Sequence, residues 1–384
     1  MRFLTAGESH GKCLTTIIEG VPAGLFITVD HINSELARRQ SGYGRGGRMK
    51  IEKDTVEISS GVRGGYTLGS PIALTIINKD WENWKTIMSP TTSADLKSRF
   101  VSRPRPGHAD LFGAIKYGHQ DMRNVLERSS ARETAARVAV GSIAKRILSM
   151  LDVDIFSHVI RIGQQEVKRE LSFEEIKKNA PNSPVFCADS KTESEMLKEI
   201  EQCKLKGDTL GGIFEVIALN LPIGLGSYVH WDRKLDGRLA QSVMSIQAIK
   251  AVEIGMGKDS GELPGSKVHD EIMYDSQKGF YQKTNRAGGL IGGITTGAPL
   301  RVRATMKPIP TLMQPLSSVD FISKVNSPAA TERSDVCAVP AASVVGEAAV
   351  AWVLAQAFLE MFGCDQMQDI CKRVQEYRTY VRQI

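Results

Sequence analysis

Residues 7–11 read Gly7-Glu8-Ser9-His10-Gly11, a hydroxyl and an imidazole side by side between glycines, where backbone can approach a ligand closely. An imidazole in that setting can act as a general acid near neutral pH. The same five residues also suit a histidine that caps a local turn. A serine nucleophile is disfavoured, because no GxSxG elbow accompanies Ser9. From Gln40 to Lys50 four glycines surround Arg45 and Arg48, just after Arg38 and Arg39. Glycine-rich basic loops wrap phosphate or carboxylate groups, and the guanidinium fork grips them in bidentate fashion. An RNA-binding arginine-glycine segment and a solvated loop are the competing readings, but one aromatic, Tyr43, makes no stacking platform.

Arg103-Pro104-Arg105-Pro106-Gly107-His108-Ala109-Asp110 has two prolines stiffening the backbone around two arginines and a histidine, which suits a preorganised anion site; an exposed polyproline-like linker is the alternative. His119 fits a structural role as well as a functional one. In Glu127-Arg128-Ser129-Ser130-Ala131-Arg132-Glu133-Thr134, Ser130 and Glu133 form an S-x-x-E capping pattern. That pattern predicts a helix over 131–151 with Ala135, Val138, Ala139, Ile143 and Ile147 buried. The helix start would offer N–H groups, two hydroxyls, Arg128 and Arg132 to an anion, or be an ordinary cap with solvated arginines. Arg333-Ser334-Asp335 stands at the matching place in the second half and adds a carboxylate. Gly288 to Gly297 offers unhindered backbone donors, and Lys307-Pro308-Ile309-Pro310-Thr311 places a cation and a hydroxyl after a strand. Neither matches a Walker loop or a dinucleotide fingerprint.

The elements that must position these groups come in two similar sets. Val21-Pro22-Ala23-Gly24-Leu25 recurs as Leu221-Pro222-Ile223-Gly224-Leu225, and Leu36 to Ser41 resembles Leu239 to Ser242 with two residues dropped. Gly69 to Leu74 recurs as Gly297 to Val302, and Glu127-Arg128-Ser129 as Glu332-Arg333-Ser334. Four landmarks in one order point to an internal duplication. The expectation is a single domain over 1–384, with halves at about 1–163 and 209–384 and a polar helical excursion at 164–208 in which Ser190 caps the helix ending near Lys206. Met49, Ile51, Val56 and Ile58 flank Lys53-Asp54 as a hairpin, and Leu300, Val302, Ala304 and Met306 alternate with polar residues as a half-buried strand. Asp232 would cap a helix burying Leu235, Leu239, Val243, Ile246 and Ile249, and another helix runs from Pro340 to Gly363. Without regular βαβ alternation, the fold class is α+β in layers.

Composition narrows the function classes. With 42% hydrophobic and 24% charged residues among 384, the chain can build a sizeable core, which excludes whole-chain disorder. The most apolar stretch, Val336 to Phe362, is interrupted by Pro340, Gly346, Glu347 and Gln356, so no membrane span is expected. Glu8 stands where a signal peptide needs an apolar core, which points to a cytoplasmic protein. The six cysteines are scattered without CxxC, so reduced core thiols are expected and no metal site. A net charge of +6 suits nucleic acid or a phosphorylated metabolite.

Taken in order, GESHG, GYGRGGRMKIE, RPGHAD, ERSSARET, SIQAIKAVEIG, NRAGGLIGG, MKPIPT and RSDVCAVPAA resemble the chorismate synthase family along effectively the whole chain. The resemblance implies a 1,4-anti elimination of phosphate from 5-enolpyruvylshikimate 3-phosphate, with reduced FMN required and no net redox change. It implies a β-α-β sandwich, helices between two antiparallel sheets, and a homotetramer. His10 with Ser9 would serve the leaving phosphate as proton donor, His108 would face the reduced flavin, and Asp335 would relay the substrate proton; Ser130 joins this catalytic group. Arg39, Arg45, Arg48, Arg105, Arg132 and Arg333 are the implied substrate clamps. FMN would contact Arg128, Ser129, Ser130, Gln247, Ala248, Gly292, Lys307, Pro308, Ile309, Pro310, Thr311, Arg333, His108 and Asp335. Gln247 departs from the Asn of some relatives. NADPH would be used, through Arg39 and Arg45, only if the enzyme reduces its own flavin; the absence of an added reductase domain points to an external flavin reductase. The other function classes, single-strand RNA binding and a non-flavin phosphotransferase, predict respectively salt-steep affinity and a need for Mg²⁺ or nucleotide.

Overall fold

A computed structural model of the chain describes residues 1–45, 53–277, 279–332, 334–363 and 365–384. Arg48 and Arg333, and Met49 and Ile51 of the expected hairpin, lie outside these residues. Among the described residues, alternation of apolar and polar residues in the strands produces two larger antiparallel sheets beside four two-stranded ones. The first has the order Arg2–Ala6, Cys13–Glu19, Ile72–Ile77, Val56–Ser60. The second has the order Ile249–Ile254, Leu300–Met306, Gly212–Leu219, Asp154–Ile162, Gln165–Glu166. Leu14 and Ile18 bury one face of the first sheet, as Phe214, Val216, Val302 and Ala304 bury one face of the second.

The Thr134–Met150 helix packs on strands of the first sheet, the Val339–Phe362 helix on strands of the second, and the two helices pack on each other. At their crossing a Cβ on Gly141 would stand 2.2 Å from the Ala348 Cβ, so only glycine allows this approach. The fold is α+β. The Val339–Phe362 helix is long and apolar enough to cross a membrane by composition, but it is buried in the core. It runs from Val339 with Gly363 as its C-cap, as the Pro340 to Gly363 pattern predicts.

The same threonine clasp occurs twice. Thr67 Oγ1 donates to Pro22 O at 2.6 Å and accepts from Leu25 N at 2.9 Å. Thr295 Oγ1 donates to Pro222 O at 2.6 Å and accepts from Leu225 N at 2.8 Å.

Several expectations need correction. The 131–151 helix starts as a 3₁₀ turn, Ala131–Glu133, and becomes α only at Thr134. Ser130 Oγ therefore accepts from Arg132 N at 3.2 Å, and no capping box closes, because Glu133 is taken by Arg137 and the Thr5 hydroxyl. Ala135, Val138, Ala139, Ile143 and Ile147 are buried as expected. Asp232 does not cap its helix: it pairs with His230 in a 3₁₀ turn, the helix spans Leu235–Met244, and Ile249 begins a strand. Asp189, not Ser190, caps the Ser190–Leu205 helix. The described partner of Val56–Ser60 is Ile72–Ile77, and Asp54 is a buried ion-pair member rather than an open turn residue. The 164–208 excursion is polar outside, yet Val185, Cys187, Met196 and Ile200 join the main core. Burial pushes the Cys337 thiol up to about 12 and the Cys187 thiol up to about 11.

One buried carboxylate ties the helical layer together. Glu347 is 0% exposed and accepts from Arg38 Nη2 at 2.7 Å, Lys145 Nζ at 2.7 Å and Ser157 Oγ at 2.7 Å. Burial opposes its charge, but Lys145 and Arg38 outweigh it and hold the carboxyl below its ordinary value. Its stabilising contribution is therefore complete above the unfolded-state value of about 4.3 and is lost as pH falls toward the folded value. Glu347→Ala should cost about 3–5 kcal/mol at pH 7, and the deficit should shrink at pH 4. Urea midpoints at the two pH values check this; an equal deficit at both would show that packing, not charge, is what Glu347 supplies.

Candidate functional site

A cavity of about 490 Å³ opens where the start of the Thr134–Met150 helix, the 103–110 loop, the 306–311 segment and the approach to the Val339–Phe362 helix converge. Arg39, Arg45, Arg105, Arg132, Lys250 and Lys307 line it, against Glu332 and Asp335 as the acids. Six cations against two carboxylates make it a receptor for anions.

Arg39, Arg105 and Arg132 are aimed by buried partners. Arg39, at the last turn of the Val29–Gln40 helix, donates from Nε to Thr134 Oγ1 at 2.9 Å and from Nη2 to Ala131 O at 3.1 Å. Burial lowers its pKa to about 10, with Asp54 opposing and Arg132 and Arg45 adding to the effect. It stays charged at neutral pH. Arg132 is buried, with Nη1 2.7 Å from Asp54 and Nε donating to Asn78 Oδ1 at 2.9 Å. Asn78 Nδ2 in turn donates to Gly11 O at 2.6 Å and Glu8 O at 3.2 Å, fastening the 8–11 turn to the same arginine. Arg45 lies 3.1 Å from Asp335.

The 103–110 loop builds the second unit. Asp110 is 0% exposed and accepts from Arg105 Nε at 2.8 Å, while Arg105 Nη1 donates to Thr311 Oγ1 at 2.9 Å. His108 Nδ1 stands 2.6 Å from Asp110 Oδ1 and 3.1 Å from Arg105 Nη2. Only one of these can be a hydrogen bond of Nδ1. Burial works against ionising Asp110, but its hydrogen bonds from His108 and Arg105 hold it well below the usual carboxylate range. It is an acceptor, so Nδ1 carries the proton and the imidazole offers Nε2 for chemistry.

Ser9 lines the cavity, and Ser130 Oγ donates to Ser9 Oγ at 3.3 Å. His10 does not line it; it sits one residue behind, its Nδ1 2.9 Å from Glu127 Oε1 and its backbone N–H donating to Glu127 Oε2 at 2.7 Å. Ser9 N–H donates to Glu127 O at 2.9 Å. Glu127 therefore anchors the whole turn. Burial resists its ionisation, yet the His10 and Arg123 bonds keep its carboxyl below the ordinary value. Gly7, with φ 111°, lets this turn form: a Cβ there would stand 2.3 Å from Cys13 O.

Gln247, Ala248, Lys307, Ile309, Pro310 and Thr311 also line the cavity, as do the apolar Ala338, Ala341, Ala342 and Val345. Gln247 Oε1 is buried with no hydrogen-bond partner among the described residues, and Ala248 holds a left-handed φ of 68°. Ser129 also lines the cavity. Arg128, Gly292 and Pro308 do not: Arg128 is spent on Thr5 O at 2.9 Å and Gly7 O at 3.1 Å, and Gly292 sits in the turn between Leu290–Ile291 and Ile294–Thr295. Sequence reasoning missed Asn78, placed Asp54 only in a hairpin turn, and assigned no role to Asp110, Glu127 or Glu332. Asp110 and Glu127 stood inside quoted motifs; their burial beneath a histidine was the missing signal.

The chorismate synthase family model matches residues 1–359. Chorismate synthase of Desulforamulus reducens is 59% identical over 386 residues, with 100% of each chain covered. That of Moorella thermoacetica is 58% identical, and chorismate synthase 2 of Bacillus cereus is 57% identical, each again covering 100% of both chains. A crystal structure of chorismate synthase superposes with a TM-score of 0.82 at 46% identity, covering 100% of this chain and 98% of the other. By the family match over residues 1–359 and by relatives 57–59% identical along the whole chain, this chain belongs to the chorismate synthase family.

Proposed function

We propose that the chain catalyses the 1,4-anti elimination of phosphate from 5-enolpyruvylshikimate 3-phosphate to give chorismate, the step of the shikimate pathway that feeds aromatic amino acid synthesis. The observation that carries this reading is the meeting, at one cavity, of four arginines with His108 and Ser9, each backed by a histidine–carboxylate pair, His108–Asp110 at the lining and His10–Glu127 one residue behind it. The substrate carries one phosphate and two carboxylates, and Arg39, Arg45, Arg105 and Arg132 supply forks for them. The C–O bond to phosphate breaks and its electron pair leaves with the phosphate; a ring C–H is lost, its two electrons form a new ring double bond, and the existing ring double bond shifts to the carbon that the phosphate leaves. Ser9, Ser130 and His10 hold the departing phosphate and give it a proton. Asp335, held at Arg45, accepts the ring proton. Arg48 and Arg333 complete the clamp in this reading.

The lining around Gln247 and the 307–311 segment fits FMN. The orphaned Gln247 Oε1 suits a ring N–H, the Ala338 to Val345 face suits a flat apolar ring, and Lys307 and Thr311 stand beside it. We assign to FMN the residues Ser129, Ser130, Gln247, Ala248 and Lys307 to Thr311. Reduced FMN, when bound, lends electron density that eases phosphate departure without net redox change. His108, its Nδ1 held by Asp110, offers Nε2 at the cavity it lines. We also propose the β-α-β sandwich and a duplication over about 1–163 and 209–384; the matching Thr67 and Thr295 clasps support them. A homotetramer and an external source of reduced flavin belong to the same reading.

An anaerobic assay with 5-enolpyruvylshikimate 3-phosphate tests it. Chorismate and phosphate should appear in equal amounts and only with reduced FMN. Phosphate released without reduced FMN, or no product from flavin-loaded protein, would overturn it.

A further inference from the structure

The indole of Trp84 lies on the imidazole of His10, ring centroids 3.9 Å apart and planes at 29°. Trp84 ends the short Trp81–Trp84 helix beyond the Ile72–Ile77 strand and is 8% exposed. Its Nε1–H donates to Asp80 Oδ2 at 3.0 Å, and the guanidinium carbons of Arg99 and Arg123 lie 5.3 and 5.2 Å from its ring centroid. The indole is therefore fixed by one hydrogen bond and two cations before it touches the histidine.

A histidine held by one Nδ1–H bond can still swing about that bond. Glu127 constrains the Nδ1 end of His10, and the stacked indole constrains its plane. Resting on the reading of His10 as proton donor to the departing phosphate, we propose that Trp84 is a positioning residue that sets the plane of the His10 ring. The charged groups around the pair are Glu127 and Arg123 from the Arg123–Ser129 helix, Arg99 from the loop before it, and Asp80. A misaligned ring would lose rate rather than affinity.

The test combines turnover with tryptophan emission in the full-length protein. An imidazolium quenches an indole that it touches, so wild-type emission should fall on acidification. That component should be absent from Trp84→Phe and from His10→Gln. Trp84→Leu should lower kcat about tenfold with KM nearly unchanged, and Trp84→Phe, which keeps a flat ring, should restore most of it. Wild-type kcat in Trp84→Leu, or acid quenching of full wild-type size in Trp84→Phe, overturns the proposal; quenching left over from Trp231, whose ring lies 6.1 Å from that of His230, is the same in both proteins. If Trp84→Leu does not fold, the emission titration of Trp84→Phe decides. Wild-type protein that shows His10-dependent quenching but forms no chorismate overturns the reaction reading while leaving the stack standing.

Discussion

His108→Ala should lower kcat by about 10² or more, equivalent to about 2.7 kcal/mol of transition-state stabilisation, while leaving the fold intact. The side chain is mostly buried at the cavity wall, and its Nδ1–H is committed to Asp110 at 2.6 Å, so the group removed is a preoriented Nε2. Asp110 also holds Arg105, which is why the alanine variant keeps its loop: the Arg105–Asp110 pair at 2.8 Å does not need the imidazole. Asp110→Asn should be worse than a lost charge, because an amide that donates to Nδ1 leaves the proton on the other nitrogen. Steady-state kcat of the alanine variant with saturating reduced FMN measures the effect. Turnover within a few-fold of wild type would remove His108 from the reaction.

Asp335→Asn carries the second large effect, again about 10² or more in kcat. Asparagine has nearly the same shape and can still accept from Arg45, which lies 3.1 Å from the carboxylate, so KM should change little. What disappears is the proton acceptor. A split of this kind, kcat lost and KM kept, marks an interaction made only as the reaction proceeds. A rise in KM with kcat unchanged would instead make Asp335 an ordinary member of the substrate clamp, working through Arg45.

Much of the helical and strand pattern was legible in the sequence, since periodicity reports which face is buried. The Leu300–Met306 strand and the Val339–Phe362 helix are of this kind. Local end signals were less dependable. Ser130 and Glu133 satisfied the capping pattern, but Arg137 and Thr5 competed for Glu133 and a 3₁₀ turn formed. Asp232 met His230 before it met the helix. Such outcomes depend on partners distant in sequence or on a neighbour's rotamer, and no short motif contains them.

For function, the sequence by itself determined the chemical inventory: arginines in glycine and proline loops, two histidines with neighbouring acids, a basic balance, and motifs in one order along the chain. These are properties of residue type and spacing, which folding cannot alter. Only the tertiary structure decided which arginines meet. It drew Arg39, Arg45, Arg105 and Arg132 onto one cavity and tied Arg128 to the Thr5 and Gly7 carbonyls outside it. It also decided which acids stand behind the site. Asp54, Asp110 and Glu127 read as ordinary polar residues until burial removes water, after which an ion pair or a histidine is the partner available to each.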